Sequence, residues 1–328
     1  PKEYERAKRT YMESMESVTI RAVKYYFDLM KAKLNHETAR SNYSNTKQMC
    51  SVAAERMTLG SVTRDEYLQL ELRMLNDSIS INETAIRVKE AQMTLNSLLG
   101  YGEEFEIEPE VTERLPDVWM DYDLVLSKAM DNSSFLLGNE IKMLNAESDI
   151  ARAKANRGAS VSLNARFGLS NSNEKFRETY KGLLDQEVVG ITFSIPIFDW
   201  GLGKGRVKNA QAKAAVVKAE VAQAEQDYRR SIYTAVGQFN NQRQQCMVSE
   251  RASRIARERY SLMMEKLRSG KASVTDLNTA QSENDSAVSR YVTDLSNFWN
   301  YYYTLRQLTL YDFIRNRNLD VDFLELIK

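Results

Sequence analysis

Few side chains in this sequence could carry bond-making chemistry. His36 is its only histidine, and Cys50 and Cys246 are its only cysteines. A side-chain nucleophile needs a Ser–His or Cys–His arrangement, a phosphate loop needs clustered glycines, and a metal site needs ligands at fixed spacing. None of these patterns is present, so the sequence does not read as an enzyme and asks for no cofactor or metal. His36, alone on a charged helix, is expected to be solvated. Cys50 and Cys246 fall inside helical patterns and are expected to be free, packed thiols.

The carboxylates with informative spacing are Glu66 and Asp276. Glu66 follows Gly60 by six positions, and Asp276 follows Gly270 by the same interval. Thr63-Arg64-Asp65-Glu66 and Ser273-Val274-Thr275-Asp276 are capping boxes, in which the hydroxyl and the acid each take a backbone N–H at a helix start. A carboxylate there also complements the positive end of its own helix.

The elements that position these acids are long. Tyr4 to Leu59 holds no Pro or Gly and predicts a helix of about 80 Å. After the Gly60 turn a return helix runs from Asp65 to Leu99, stopped by Gly100 and Gly102. Residues 101–116 are irregular and acidic, with Pro109 and Pro116 as breakers. Tyr122 to Met130 and Phe135 to Asn156 read as shorter helices. A long helix from Leu202 to Arg268, about 100 Å, turns at Gly270 and returns to Leu310.

The two helical hairpins match at a fixed offset of 210 residues. Gly60 pairs with Gly270, Glu55 with Glu265, Glu66 with Asp276, and Tyr101 with Tyr311, which reads as a duplicated unit. On the first return helix Leu68, Leu72, Leu75, Ile79, Ile86 and Met93 form one stripe. Leu70, Met74, Ile81, Ala85, Val88 and Leu95 form another, about 200° away at 100° per residue. A two-stranded coil needs one seam; two opposite seams suit a stave with a neighbour on each side. On the second long helix Ala210, Ala214, Val217, Val221, Ala224 and Tyr228 make an alanine-rich seam that would permit close approach, with a stutter at Ile232. An ordinary long coiled coil remains open on periodicity alone.

Between the hairpins the period changes to two. Val161, Leu163, Ala165, Phe167 and Leu169 alternate with polar or small residues, and so do Val189, Ile191, Phe193, Ile195 and Ile197. The two runs predict one β-hairpin around a polar loop at 171–187. Two strands do not stand alone in water. An apolar face opposite a polar one, over about 10 residues, is the pattern of a membrane β-barrel strand. Trp200 would then lie in an interfacial aromatic belt or pack at the junction.

The expected fold class is mainly α with one β-hairpin: long antiparallel helical hairpins in an internal repeat, α-barrel staves if both seams are used, plus a membrane β-barrel hairpin. The segments are 1–100, a first helical hairpin; 101–157, an irregular stretch with two shorter helices, which the family resemblance given below makes an equatorial segment; 158–200, the β-hairpin; 201–310, the second helical hairpin; and 311–328, a tail. Composition agrees. Of 328 residues 27% are charged, with only 13 glycines and four prolines, and the mean hydropathy of −0.50 is low for a compact globule. Basic and acidic residues balance at 45 each, so no general attraction to nucleic acid or anionic lipid is expected. No apolar run reaches the ~20 residues of a transmembrane helix. No signal peptide precedes the helical pattern, which does not argue for the cytoplasm because a secreted chain loses its signal.

The stretch Val189-Gly190-Ile191-Thr192-Phe193-Ser194-Ile195-Pro196-Ile197-Phe198-Asp199-Trp200-Gly201, followed by the alanine-rich helix from Arg206 to Glu225, resembles the outer membrane efflux protein family, that of TolC. The tip glycines with an acid six residues on, Gly60/Glu66 and Gly270/Asp276, resemble that family too. The resemblance implies a homotrimer with a β-barrel in the outer membrane of a Gram-negative bacterium and a helical tunnel in the periplasm. It also implies export of small molecules or proteins, delivered by an inner-membrane pump through a periplasmic adaptor. By position it makes Asp276, and with it Glu66, the pore gate. It makes Leu59, Gly60, Ser61, Ser269, Gly270 and Lys271 the adaptor-contact tips, with Lys271 a candidate for a tip salt bridge. Pro196, Phe198, Asp199 and Gly201 become the strand–helix junction. Thr279 replaces the family's second acid. The family has two β-hairpins per chain and this sequence one, so a first helix and hairpin before Pro1 are expected to be missing; three copies would supply six of twelve strands. A soluble elongated coiled-coil scaffold is the competing reading.

Overall fold

The computed structural model describes residues 1–110, 115–170, 184–195 and 197–321. Six helices are found among them: α1 (Lys2–Thr58), α2 (Arg64–Leu99), α3 (Tyr122–Asn132), α4 (Ser134–Ala155), α5 (Leu202–Arg268) and α6 (Val274–Thr309). β1 (Ser160–Ser170) pairs antiparallel with β2 (Leu184–Ser194), and β3 (Tyr311–Asp312) pairs with β4 (Arg317–Asn318). The last pair falls in the expected plain tail, where two residues per strand give no period to read. Contacts divide the chain into two units: Pro1–Glu3 with Phe135–Asp227, and Tyr4–Ser134 with Tyr228–Lys328.

The first unit holds the β-hairpin and the helix ends that flank it. Val161, Leu163 and Ala165 stand opposite Phe193, Ile191 and Val189, so the apolar faces of the strands coincide. Six of their large side chains (Val161, Leu163, Phe167, Val189, Ile191, Phe193) are 61–72% exposed. The alternation predicts a second strand over 189–197, but β2 begins at Leu184 and ends at Ser194. Ladder pairing with the 11 residues of β1 sets its length, and Ile195 and Ile197 continue the alternation outside any ladder. Pro196 and the loop at 171–183 lie outside the described residues. The alanine seam of α5 is half-buried. Beside α4 it lines an open groove of about 700 Å³ rather than a tight contact.

The second unit is built on three apolar clusters. One joins Met120, Val125 and Ala129 to Ile232, Val236 and Phe239 of α5 and Phe298, Tyr302 and Leu305 of α6. A second packs Phe27 and Met30 against Cys246, Val292 and Leu295. The third sits near the tips: Met49, Cys50, Ala53, Leu70, Met264, Val274 and Leu277. The irregular stretch after α2 is tied down by side-chain hydrogen bonds from buried Asn96 and half-buried Tyr26 and Asn240. Asn96 Nδ2 donates to the carbonyls of Gly102 and Phe105. The Tyr26 hydroxyl donates to the Glu110 carbonyl and accepts from its N–H. Asn240 does the same for Met120. The Arg306 guanidinium takes both oxygens of Glu16, at 2.6 and 2.7 Å, and reaches Asp312 at 3.3 Å. This pairing links α1, α6 and the β3 turn.

His36 departs from the solvated expectation. It is half-buried, and its Nδ1 lies 3.0 Å from Thr84 Oγ1, because α2 packs beside it. Both cysteines are free and buried. Burial raises the Cys50 thiol and pushes Cys246 up to about 12, so neither is a thiolate at neutral pH. No described helix is long and apolar enough to cross a membrane, which says nothing of a β-barrel.

Candidate functional site: the helical tips and the strand–helix junction

Each tip is built by backbone geometry that the glycines permit. Gly60 and Gly270 have φ of +71° and +73°, the left-handed region where a side chain is strained. At the first tip Ser61 N–H donates to Arg56 O and Gly60 N–H to Met57 O; at the second Lys271 N–H donates to Lys266 O and Gly270 N–H to Leu267 O. These paired bonds are the Schellman motif, which satisfies carbonyls otherwise orphaned at a helix end. Three residues after each tip glycine the chain enters a capping box, with Thr63 and Glu66 at one tip and Ser273 and Asp276 at the other.

The expected gate acids are thus first of all caps. Glu66 Oε2 accepts from Thr63 N and Oγ1, both at 2.9 Å. Asp276 Oδ2 accepts from Ser273 N at 3.1 Å and Oγ at 2.7 Å. The Thr63 backbone and hydroxyl hold Glu66 below the usual carboxylate range; the Ser273 hydroxyl and backbone do the same for Asp276, helped by the charge of Arg259. Both acids therefore stay charged at neutral pH. Thr279 donates its hydroxyl to the Thr275 carbonyl of its own helix at 2.9 Å.

The structure brings the two tips together. Glu66, Asp276, Ser61, Gly270, Lys271 and Ser273 line one cleft of about 400 Å³. Leu59, Gly60, Ser61, Ser269, Gly270 and Lys271 are all exposed, Leu59 at 79%. No described ion pair involves Lys271. One residue that joins the tips carries no motif in the sequence. Arg56, in the last turn of α1, donates from Nη1 to Leu267 O and from Nη2 to Arg268 O, at 3.3 and 2.5 Å. It therefore caps the carbonyl end of a helix other than its own. A signal existed, since basic side chains favour helix C-termini and Lys266 stands at the matching offset. The periodicity does not say which carbonyls such a cation serves.

At the other end of α5, Asp199 takes the cap. Its Oδ1 accepts from Gly201 N at 3.0 Å and its Oδ2 from Gly203 N at 2.7 Å. Trp200 is held at φ +54° and is 90% exposed, so it does not pack at the junction. Its ring meets Phe198 edge-on at 4.7 Å between centroids. Pro196, also assigned to this junction, is outside the described residues. No cluster of three or more His, Cys, Asp or Glu side chains suited to a metal occurs among the described residues.

Comparison with known proteins closes the question of family. Residues 125–309 match the family model for outer membrane efflux proteins, more than half of the chain. No curated protein is detectably similar. Among solved structures, the outer-membrane channel OprN is 18% identical with a TM-score of 0.70, over 93% of this chain and 68% of its own. The Campylobacter jejuni CmeC outer membrane channel is 17% identical with a TM-score of 0.70, over 99% and 68%. The outer membrane protein VceC of Vibrio cholerae is 15% identical with a TM-score of 0.69, over 97% and 74%. At such identities the likeness is one of fold, and it agrees with the matched family model. The chain belongs to the outer membrane efflux protein family.

Proposed function

We propose that this protein works as a closed homotrimer, a passive conduit through the outer membrane of a Gram-negative bacterium with a helical tunnel in the periplasm. In this reading 158–200 contributes strands to a shared β-barrel. Residues 1–100 and 201–310 are the tunnel staves, 101–157 is the equatorial segment, and 311–328 is the tail. The observation that carries the reading is the uncovered apolar face of β1–β2. A two-stranded ribbon is not stable alone in water, and in lipid only a closed barrel satisfies strand backbones. The β1–β2 hairpin therefore calls for other strands.

The helices give support of the same kind. The ridge Leu68, Leu72, Leu75, Ile79, Ile86 and Met93 of α2 is 36–61% exposed, while Leu70 and Leu95 of the opposite stripe are buried. On α5, Val248, Ile255 and Leu262 repeat every seven residues and are 48–63% exposed. Two unmatched ridges on different helices suit a head-to-tail ring. At the tunnel mouth Asp276, with Glu66 beside it, would supply a ring of carboxylates that attracts cations and narrows the passage. The exposed tips Leu59, Gly60, Ser61, Ser269, Gly270 and Lys271 would meet a periplasmic adaptor that hands on cargo, small molecules or proteins, from an inner-membrane pump. Pro196, Phe198, Asp199 and Gly201 would turn each strand into its stave. No catalytic step and no cofactor enters.

Conductance in planar bilayers tests the reading. The protein is expected to form cation-selective pores blocked by multivalent cations, and Asp276→Ala should weaken both properties. Pores with unchanged selectivity and block would remove Asp276 from the gate.

A further inference from the structure

The chain is neutral as a whole, but its charge is segregated at the foot of the β-hairpin. Lys204, Arg206 and Lys208 occupy the first turns of α5, and no acidic residue follows Asp199 until Glu220. On the other arm Arg152, Lys154 and Arg157 lead into β1, with no acid after Asp149. All six are exposed. Two have anionic neighbours: Arg152 faces Asp149 at 3.7 Å, and Arg157 lies close to Asp199. The α5 cations stand at the positive end of their own helix, where the dipole disfavours them. The helix gains nothing from them there, so an external anion is the natural counterpart.

Directly above them is an apolar tip. Ile197 is 96% exposed, Trp200 90% and Phe198 71%. The Asp199 bonds to Gly201 and Gly203 fix the turn that presents them, against the cost of a positive φ at Trp200. A Cβ at Gly203 would come within 2.7 Å of Asp199 Oδ2 and 2.6 Å of Arg157 Cγ, so a larger residue there would force the capping carboxylate or the arginine to shift. From Leu202 to Lys208 the helix rises about 9 Å, comparable with the headgroup layer on one side of a bilayer.

We infer that this junction is a docking collar for anionic phospholipid. The Phe198–Trp200 pair sits at the acyl boundary, and the cations of the two helix ends reach the headgroup phosphates. The inference rests on the reading of β1–β2 as membrane strands, and it reverses the expectation, drawn from overall charge balance, of no attraction to anionic lipid.

The test uses the protein reconstituted in phosphatidylcholine vesicles carrying, at one low mole fraction, either brominated phosphatidylglycerol or brominated phosphatidylcholine. The Trp200 emission is obtained as the difference between wild type and Trp200→Phe. Brominated phosphatidylglycerol is expected to quench it several times more strongly. High salt should remove the preference. The variant Lys204→Gln/Arg206→Gln/Lys208→Gln should bring the two lipids to nearly equal quenching while still forming conducting pores. Equal quenching by the two lipids, in pores that conduct, would overturn the collar and leave the channel standing. A change of ion selectivity in the triple variant without any lipid preference would also overturn it, by placing the cations in the lumen. Absence of quenching together with absence of conductance would sink the channel reading, and the collar with it.

Discussion

The two return helices make an informative pair. α2 and α6 are both 36 residues long and start from the same capping box at the same distance from a tip glycine. They differ in what they bury. α6 buries residues along its whole length, among them Leu277, Ala280, Val292, Leu295, Phe298, Tyr302 and Leu305, whereas α2 buries only Leu70, Asp77, Leu95 and Asn96. Both carry apolar side chains on more than one face. α6 finds its neighbours within its own chain, and α2 leaves one ridge bare. Duplication thus supplies two similar staves, and position in the chain decides which has an unmet face. In the proposed ring, that face is where another copy would sit.

The contrast can be broken or sharpened by substitution, most forcefully in α6. Phe298 is fully buried and touches Phe239 and Trp299. Phe298→Ala should cost about 3–5 kcal/mol in denaturant unfolding. On α2, Leu72→Lys with Ile79→Lys should leave helicity by circular dichroism intact but remove about 1.5–3 kcal/mol per side chain from assembly, seen as monomers after cross-linking. Should the pair instead unfold the chain, the two helices would be equivalent and the contrast would fail. Arg56→Gln should cost about 1–2 kcal/mol, because its bonds are charge-assisted but partly solvated. The loss should appear as faster amide exchange at Ser269, Gly270 and Lys271, with no change at the equator. Thr63→Ala and Ser273→Ala should each cost about 0.5–1 kcal/mol. Similar losses would confirm that the tips are equivalent although the helices are not.

The smallest effect concerns pH. The folded-state pKa values of Glu66 and Asp276 lie below their ordinary values. Their capping contribution is therefore complete above the ordinary carboxylate range and is lost as pH falls through the depressed values. Carboxyl chemical shifts should titrate at lower pH than in a denatured reference, and Thr63→Ala should return Glu66 towards normal.

Most of the frame was legible because it rests on local rules. Glycines with acids six residues on gave the tips, and period two gave the hairpin. What escaped depends on neighbours. Alternation continues through Ile195 and Ile197, yet the ladder ends at Ser194, since pairing and not polarity sets strand length. His36 reads as solvated until α2 is laid against it. Arg56 reads as an ordinary last-turn cation until the carbonyls of Leu267 and Arg268 are placed in reach. The basic junction was hidden by summing charge over the whole chain, which averages it against acids elsewhere. The acids Glu66 and Asp276 were found by spacing, but the same spacing serves a cap as well as a gate, and the cap is what a single chain displays.

Native mass spectrometry of the protein in detergent addresses the ring most directly. The account predicts a closed trimer for the wild type and monomers for Leu72→Lys/Ile79→Lys. A wild type that remains monomeric, or that forms dimers or open filaments, would contradict it.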